Sequence, residues 1–378
     1  MKKIGILTYH TSHNIGSMLQ SYALQTYLEK KYNCKVEFID YSSPAQQNMY
    51  SIFPKIKNIK EFVKNIISGV FYPLFKIRFD DFEKFKNNYL NLSERKYTFT
   101  NEIDELEISY DYIFLGSDQI WNVNCLDFTN AYFADFKTKA KIIAYAPSLG
   151  GQNILTAKID VNYVKQLIEK IDCLSVREVN GKKWLEKLTN RSFEVVADPT
   201  LLIDKKSWYS FLENHKEQPK YENYIFFYGV PFSKDTYSIV EKISKKLNLK
   251  VIMLDAKSWI YNFCFIRGFI LEKHCSPLDY LSLIKNSSLV ITTSFHGTIF
   301  STIFEKDFWT ITFNGTNPDD DRVSTLLKQL GLEDRLVYLE DILTIDLSQK
   351  VEYYNYESKL SPLISKSIEF IDSSLQKN

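Results

Sequence analysis

The chain has 378 residues, of which 47 are Lys or Arg and 46 are Asp or Glu, so its formal net charge at pH 7 is +1. A domain usually holds roughly 100–200 residues, and this length therefore predicts two domains. Hydrophobic residues make up 45% and charged residues 25% of the chain, a globular composition that excludes intrinsic disorder. The balanced charge argues against a general nucleic-acid binder, which needs a basic excess to displace counterions.

The five cysteines are scattered without a CxxC motif or any paired spacing. This pattern is typical of free thiols in a reducing compartment, and it excludes a zinc site built on cysteine thiolates. We expect no bound metal. The N-terminal apolar run is too short for a secretory signal, and no stretch reaches the roughly 18 apolar residues of a membrane-spanning helix. We therefore expect a cytoplasmic protein.

The chain opens with a predicted strand, helix and strand. Residues 2–8 form an apolar run suited to a buried parallel strand, and a helix with apolar residues at helical spacing begins at Gly16 after a polar loop. This is the opening of a Rossmann-like unit. Further strands of the first half are predicted at 36–39, 111–116, 140–146, 173–176 and 193–196, and a helix at 178–188.

Residues 42–109 break this rhythm. Pro54, Gly69 and Pro73 punctuate two predicted helical stretches rich in Phe, Ile and Lys. A basic amphipathic helix of this kind can touch an anionic membrane, which would place the protein at the cytoplasmic face of the inner membrane. The alternative is a helical flap or a dimer contact that leaves a solvated lysine face.

A second alternating series begins near Tyr224. Strands are predicted at 225–228, 251–254, 289–293 and 308–313, and helices at 233–247, 277–285, 297–304, 323–330 and about 354–375. The sequence thus predicts an α/β protein with two Rossmann-like domains facing a cleft and a helical insertion at about 42–109 in the first. The domains are expected at 1–203 and 204–350, and residues 351–378 form a C-terminal helix that can pack back on the first domain. Ligands of open α/β sheets bind at the carboxyl ends of the strands.

The loop after the first predicted strand is the first candidate site. It contains His10 and Asn14, and Gly16 and Ser17 open the following helix. The N–H groups and the dipole of a helix N-terminus can bind an anion or a hydroxyl. The alternative is a plain polar loop in which Asn14 or Ser17 caps the helix.

The second candidate follows strand 111–116, where the apolar run changes abruptly to Ser117, Asp118, Gln119 and Trp121. A carboxylate beside an indole is a common way to hold a sugar, because the acid binds a hydroxyl while the ring covers an apolar face. In the alternative interpretation, Asp118 caps a turn and Trp121 belongs to the core.

Two arginines stand near predicted helix starts. Arg177 ends a strand and can form bidentate contacts to phosphate or carboxylate, or else an ion pair with Glu178 or Asp198. Arg322 follows three consecutive acids (319–321). Adjacent carboxylates alone do not define a Mg²⁺ site, and a capped helix start with Arg322 facing the cleft is the favoured interpretation.

The sharpest candidate is the end of strand 289–293. Small hydroxyl residues lead into His296 and Gly297 at a helix N-terminus, a place that favours phosphate binding. The imidazole can donate a hydrogen bond or a proton near neutral pH, although a lone histidine is more often structural. The candidate residues are Ser294, Phe295, His296, Gly297 and Thr298.

Taken together, these segments resemble the polysaccharide pyruvyl transferase family. The segments that carry the resemblance are GILTYHTSHNIGSMLQSYALQ, YDYIFLGSDQIWN, SVRE, VADPTLL, TTSFHGTIFS and DRVSTLLKQLGLEDR, in the family's order over about residues 3–335. The resemblance implies a GT-B-like fold. It also implies transfer of the enolpyruvyl group of phosphoenolpyruvate to hydroxyls of a glycan or lipid-linked glycan, giving a pyruvate ketal in surface-polysaccharide assembly, with no cofactor besides the donor substrate.

The resemblance also implies roles for the candidate residues. His296 would be the general acid or a phosphate ligand, Arg177 an anion clamp, and Asp118 the group that holds or activates the acceptor hydroxyl. The acceptor side would lie in the first domain and the donor side in the second. Residues expected to line the acceptor side are Asn14, Ser17 and Trp121, with Arg322 as a further anion contact.

One position departs from the family pattern. Many members carry Arg two residues before the motif histidine, where this chain has Ser294. A serine cannot replace a guanidinium, so either Arg322 or Arg267 substitutes for it or the donor is bound differently. Two alternatives therefore stay open: a sugar-nucleotide glycosyltransferase, for which Glu305 could hold the ribose, and a non-catalytic protein that binds glycans or phosphate.

Overall fold

The computed structural model describes residues 2–105, 110–213, 215, 221–229, 234–313 and 319–376. The chain divides into two compact units. The first comprises Met1–Ile203, Asp319–Arg322 and Pro362–Asn378, and the second comprises Asp204–Pro318 and Val323–Ser361. The predicted boundaries assign the segment Asp319–Arg322 to the second domain, whereas the structure makes it part of the first unit.

The first unit is built on seven strands and the helices that connect them. The strands are β1 (Lys3–Leu7), β2 (Lys35–Tyr41), β3 (Leu92–Tyr97), β4 (Tyr112–Leu115), β5 (Lys141–Ala144), β6 (Cys173–Val176) and β7 (Glu194–Val195). The helices are α1 (Ile15–Tyr32), α2 (Pro44–Tyr50), α3 (Ile59–Val70), α4 (Tyr72–Tyr89), α5 (Val161–Glu169) and α6 (Val179–Thr189), with short 3₁₀ helices at Thr100–Glu105, Asn130–Phe133 and Pro199–Leu202.

These strands form one parallel sheet in the order β3-β2-β1-β4-β5-β6-β7. The chain moves outward from β1 to β3, then returns to β4 on the other side of β1. In register, Ile4 of β1 lies between Val36 of β2 and Tyr112 of β4. The central strands are continuous apolar runs because helices cover both faces of such a sheet. The point where the strand order reverses therefore lies between β1 and β4.

The second unit repeats this plan. Its strands are β8 (Tyr224–Tyr228), β9 (Lys250–Met253), β10 (Ile270–Leu271), β11 (Leu289–Thr292), β12 (Phe308–Thr312) and β13 (Leu336–Tyr338). The helices are α7 (Lys205–Glu213), α8 (Lys234–Leu247), α9 (Ala256–Tyr261), α10 (Pro277–Asn286), α11 (Phe295–Ile303) and α12 (Arg322–Leu330), with 3₁₀ helices at Cys264–Arg267 and Glu333–Arg335. The parallel order β10-β9-β8-β11-β12-β13 reverses between β8 and β11.

The insertion differs from the expected pair of helices. Between β2 and β3 the structure has three helices, α2, α3 and α4, and β3 itself lies inside the predicted insertion. β3 pairs with β2 and forms one edge of the first sheet. Its sequence LSERKY lacks an apolar run, since only its two inward residues, Ser93 and Tyr97, are buried. An edge strand of this kind leaves no clear hydrophobic signal.

The last helix, α13 (Tyr356–Ser374), supplies the C-terminal part of the first unit. Ser367 Oγ accepts a hydrogen bond of 2.8 Å from the Ala197 N–H, and the Tyr112 hydroxyl donates a 2.9 Å bond to the Leu375 carbonyl. The end of the chain is therefore bonded to β4 and to the segment after β7. Across the described segments, no helix is both long and apolar enough to cross a membrane.

Candidate functional site

The first candidate site lies where the first sheet reverses its strand order, at the carboxyl ends of β1 and β4. Thr8 donates a 2.9 Å hydrogen bond to the Ser117 carbonyl, which joins the loops that follow the two strands. The buried Gln20 side chain of α1 donates to Thr8 Oγ1 (3.2 Å) and accepts from the Ser117 N–H (3.2 Å). One buried amide thus fixes both loops. Ligands of open parallel sheets bind at such a reversal.

Asp118 is the carboxylate at this reversal, and it is 7% exposed. Ser17 Oγ donates to its Oδ2, and the Gln119 N–H donates to its Oδ1 over 2.8 Å. Asn14 caps α1 by accepting from the Ser17 N–H (3.2 Å), and Gly16 lies buried in the first turn. The structure therefore groups four predicted residues, Asn14, Gly16, Ser17 and Gln119, around the Asp118 carboxylate. Asn14 also has the capping role of the plain-loop alternative.

A second buried carboxylate, Asp127, interacts electrostatically with Asp118. No sequence motif marks Asp127 as a site residue. Burial, and secondarily the Asp118 charge, raise the pKa of Asp127. Burial together with the charges of Asp127 and Asp118 also raises the pKa of the Cys125 thiol to about 12. The negative charge of Asp118 therefore disfavours ionisation of Asp127, and both carboxyl groups can hydrogen-bond a hydroxyl.

Arg322 belongs to this unit through the segment Asp319–Arg322. Its guanidinium forms a bidentate pair with Asp320, with Nε and Nη2 at 2.7 and 2.6 Å from the two carboxylate oxygens. The backbone of Asp320 packs against Gly151, where an added Cβ would lie 2.6 Å from the Asp320 Cα and where φ is +73°. Only glycine permits this approach, so Gly151 allows Arg322 to reach the ends of β5 and β6.

Glu178, at the carboxyl end of β6, is fully buried. Its Oε1 accepts hydrogen bonds from the Leu149 N–H (2.7 Å) and from Ser148 Oγ (3.0 Å). Burial raises the pKa of Glu178, although the charges of Arg177 and Arg322 oppose this rise. The sequence suggests Glu178 only as an ion-pair partner of Arg177. Its interaction with Arg322 could not be predicted, because the two residues are far apart along the chain.

The Arg177 side chain forms a buried ion pair with Asp198. Its Nη1 lies 2.8 Å from Asp198 Oδ2, and the two side chains are 3% and 0% exposed. Asp198 also accepts from the N–H and the hydroxyl of Thr200 at 3.0 and 2.7 Å. Of the two interpretations that the sequence leaves open, the geometry shows the ion pair, and the role of Arg177 as an anion clamp stays a prediction.

His10 and Trp121 are corrections, because both side chains lie in the core with no exposed surface. The His10 ring stacks on Phe38, with Nε2 3.3 Å from Asp40 Oδ1. The Trp121 indole N–H donates a 2.8 Å bond to the Tyr132 carbonyl. Both loops turn into the core after their strands. Burial of a large ring is favourable when the polar atom of the ring also finds a hydrogen-bond partner. Neither ring is available to cover a sugar.

Beside β1, β2 and β3 the first unit contains a cavity of about 350 Å³. Its wall includes a network in which His13 Nε2 lies 3.0 Å from Glu83 Oε1 and Lys86 Nζ 2.6 Å from Oε2. Although burial opposes it, these two hydrogen bonds lower the pKa of Glu83 to about 2. Rings, amides, hydroxyls and charges suited to a hydroxylated ring line the cavity: Thr11, His13, Asp40, Ser42, Gln46, Gln47, Tyr50, Phe79, Glu83, Lys86, Lys96, Tyr97 and Thr98.

The second candidate site lies at the corresponding reversal of the second sheet, between β8 and β11. Thr292 Oγ1 donates a 2.6 Å hydrogen bond to the Tyr228 carbonyl, which ties the strand ends together. Gly229, with φ of +145°, follows β8, and a Cβ there would lie 2.1 Å from Thr293 Oγ1. Glycine is therefore required for the two strand ends to meet.

The first turn of α11 follows β11 directly. Ser294 is its N-cap, and its Oγ accepts from the Gly297 N–H over 3.3 Å. Gly297 is required because a Cβ would lie 2.1 Å from Thr292 Oγ1, and Thr298 Oγ1 lies 2.7 Å from the Thr310 hydroxyl. His296 is 7% exposed in this turn. The structure thus groups all the residues predicted here, Ser294, Phe295, His296, Gly297 and Thr298, at the positive end of the helix dipole.

The family model described as polysaccharide pyruvyl transferase matches residues 14–314. The chain belongs to the polysaccharide pyruvyl transferase family. The matched range includes Asp118 and His296 but ends before Arg322.

Solved structures similar to this chain share its fold of two Rossmann-like domains of the GT-B type. A UDP-N-acetylglucosamine 2-epimerase matches with a TM-score of 0.53 and 11% identity over 99% of this chain and 95% of that one. The epimerase of Rickettsia bellii matches with a TM-score of 0.50 and 10% identity over 99% and 96%. Among curated proteins, Reverse gyrase 2 of Sulfolobus acidocaldarius is 25% identical over 119 residues. That match covers 31% of this chain and a tenth of the relative's length.

Arg267, considered as a substitute for the missing arginine, and Glu305, considered as a ribose ligand, both form ion pairs. Arg267 Nη1 lies 2.5 Å from Glu241 Oε2, and Glu305 Oε2 lies 2.5 Å from Lys205 Nζ. Glu305 follows the C-terminal end of α11, whereas His296 lies in the first turn. At a rise of 1.5 Å per residue the two positions are about 13 Å apart along the helix. Glu305 therefore does not join the cluster around His296.

Glu178→Gln tests the raised pKa at the end of β6. A carboxyl with a folded pKa above its ordinary value of 4.5 binds a proton that the unfolded chain loses. The stability contributed by Glu178 is therefore lost as the pH rises above about 4.5. We expect the glutamine variant to exceed the wild type in free energy of unfolding at pH 8, and to match it near pH 4. Urea unfolding across this range measures the difference.

Glu169→Gln, at the exposed end of α5, is the matched control and should change the free energy of unfolding little at any pH. A Glu178→Gln variant that is less stable than the wild type at pH 8 would instead show an ionised carboxylate stabilised by Arg177 and Arg322.

Proposed function

We propose that this pyruvyl transferase moves the enolpyruvyl group of phosphoenolpyruvate onto hydroxyls of a glycan or lipid-linked glycan, forming a pyruvate ketal and releasing phosphate. The reaction would serve bacterial surface-polysaccharide assembly on the cytoplasmic side of the membrane and needs no cofactor besides the donor substrate. The observation that carries the proposal is the first turn of α11, which presents His296 at the strand reversal of the second sheet in a chain of this family.

The donor is assigned to the second unit. Phosphoenolpyruvate carries a phosphate and a carboxylate, and the N-terminus of α11 supplies a favourable potential for an anion. Ser294 and Thr293 offer hydroxyls in the same place. His296 can hydrogen-bond the phosphate or deliver a proton, because imidazole exchanges protons near neutral pH.

The acceptor is assigned to the first unit. Asp118 is positioned by Ser17 and by the Gln119 N–H, so one of its oxygens can accept a hydrogen bond from a sugar hydroxyl and draw away its proton. Asp127 and the bidentate Arg322–Asp320 pair complete the polar surroundings. The nearby 350 Å³ cavity has the size and the lining expected for an additional sugar ring of a glycan.

The proposed chemistry balances as follows. A proton adds to the methylene carbon of phosphoenolpyruvate, which becomes a methyl group, while C2 gains positive character. One sugar hydroxyl forms a bond to C2 and loses its proton, and the C2–O bond to phosphate breaks. The second hydroxyl then bonds to C2 and loses its proton to the solvent or to the released phosphate. His296 would supply the proton that adds to the methylene carbon, and Asp118 would accept the proton of the first sugar hydroxyl as it bonds to C2.

His296→Ala tests the donor assignment by calorimetric titration with phosphoenolpyruvate, in parallel with UDP- and GDP-sugars. Loss of one hydrogen bond to a charged group is worth about 1.5–3 kcal/mol, so we expect phosphoenolpyruvate to bind roughly 10- to 100-fold more weakly. Turnover should be abolished while the melting temperature stays near that of the wild type.

His215→Ala is the matched histidine control, because His215 Nε2 lies 2.9 Å from Asp279 Oδ1 in the same unit. It should keep the wild-type affinity for phosphoenolpyruvate. Binding of a sugar nucleotide with no response to phosphoenolpyruvate would support the glycosyltransferase alternative. Binding of either ligand without turnover of any acceptor would support the non-catalytic one.

Ser294→Arg tests whether this turn faces the donor. The variant loses the N-cap of α11, which should lower the stability by about 1 kcal/mol. It places a guanidinium beside the proposed phosphate, and we expect phosphoenolpyruvate to bind about tenfold more tightly. Thermal unfolding and titration measure the two effects separately. Reduced stability with unchanged affinity would show that position 294 does not face this donor.

A further inference from the structure

Helix α3 carries its apolar residues on the side that faces solvent. Ile59, Phe62, Val63, Ile66 and Val70 recur at helical spacing and are 71%, 46%, 47%, 52% and 71% exposed. The buried residue of α3 is instead the polar Ser68. A surface helix of a globular protein normally buries its apolar stripe. α3 therefore has the opposite orientation, and its apolar stripe needs a partner.

The exposed apolar surface extends beyond the helix. Phe53 and Tyr72 stack on each other with ring centroids 5.9 Å apart and are 48% and 41% exposed. Of the 19 large hydrophobic side chains exposed in the described part of the chain, nine lie between residues 49 and 72. Scattered exposed apolar residues are ordinary, but a contiguous group of this size marks an interaction surface.

The charges beside this surface are almost all positive. Lys55, Lys57, Lys60 and Lys64 are exposed in the same segment. Glu61 is the single acid between residues 52 and 70, and it is half-buried and accepts a hydrogen bond from the Lys57 N–H. On a helix, position 60 borders the apolar stripe, and position 64 lies one turn further along on the same side of the helix as Lys60. An apolar stripe bordered by lysines is the arrangement of helices that lie in the headgroup region of an anionic bilayer.

We infer that α3 and its flanking residues dock the protein onto an anionic lipid surface, with Phe62, Ile66 and Val70 inserted among the acyl chains and Lys60 and Lys64 at the headgroups. The proposed function enters only as the reason for the contact, because a lipid-linked glycan acceptor is held at such a surface. Binding to lipid needs neither donor nor acceptor, so it can be tested independently of pyruvyl transfer.

The test is flotation of the full chain with vesicles of phosphatidylcholine alone and of phosphatidylcholine with phosphatidylglycerol. We expect binding to the anionic vesicles that weakens as salt is added. The double variant with Phe62→Glu and Ile66→Glu should bind at least tenfold more weakly. The variant with Lys60→Gln and Lys64→Gln should lose roughly fivefold in affinity for each lysine.

Ile266→Glu is the matched control, because Ile266 is 74% exposed in the second unit and the change in side chain is the same. It should bind vesicles like the wild type, and all variants should melt near the wild-type temperature because the altered side chains are exposed. The inference is wrong if the wild type does not bind anionic vesicles. It is equally wrong if the variant with Phe62→Glu and Ile66→Glu binds them like the wild type, or if Ile266→Glu weakens binding as that variant does. It is also wrong if the wild type is a dimer that Phe62→Glu dissociates and vesicles are not bound. If vesicles are bound but phosphoenolpyruvate is not, the proposed function fails and the docking surface stands.

Discussion

Each sheet of this protein reverses its strand order once, and both candidate sites depend on that reversal. At a reversal the loops from two neighbouring strands leave in opposite directions, which opens a space at the carboxyl ends. In the first unit this space lies after β1 and β4 and holds Asp118; in the second it lies after β8 and β11 and holds His296. Close backbone approaches at Gly229 and Gly297 keep the second site compact.

The first site concentrates buried carboxylates, and this sets its electrostatics. Asp118 and Glu178 are 7% and 0% exposed, and Asp127 is 4% exposed. Burial raises the pKa values of Asp127 and Glu178, whereas Arg322 is held by Asp320 close to the same strand ends. Buried carboxyl groups with raised pKa values are common at functional sites. Their burial opposes ionisation and so reduces the stability of the fold at higher pH.

The central strands could be predicted from the sequence because their apolar runs are continuous, and β6 has the bounds that the pattern indicates. The edge strands β3, β10 and β13 could not, since they are short or half-polar. Polar segments follow the predicted strands directly, and this placed Asp118, Ser17 and His296 near strand ends. It could not show that the loops carrying His10 and Trp121 turn into the core. Nor could it show that Arg177 is committed to Asp198, or that Asp127 and Glu178 lie near Arg322 and Asp118, because tertiary folding alone creates those contacts.

The orientation of α3 was likewise beyond the sequence. Its helical periodicity predicts an amphipathic helix, and periodicity does not say which face meets the protein. The buried Ser68 and the exposed apolar stripe decide that question.

Hydrogen exchange of backbone amides, followed by mass spectrometry with and without phosphoenolpyruvate, tests the assignment of the donor to the second unit. Protection is expected in peptides that contain the first turn of α11 and the ends of β8 and β11, with no comparable effect from UDP- or GDP-sugars. Protection of those peptides by a sugar nucleotide alone, or protection by phosphoenolpyruvate away from that strand reversal, would contradict it.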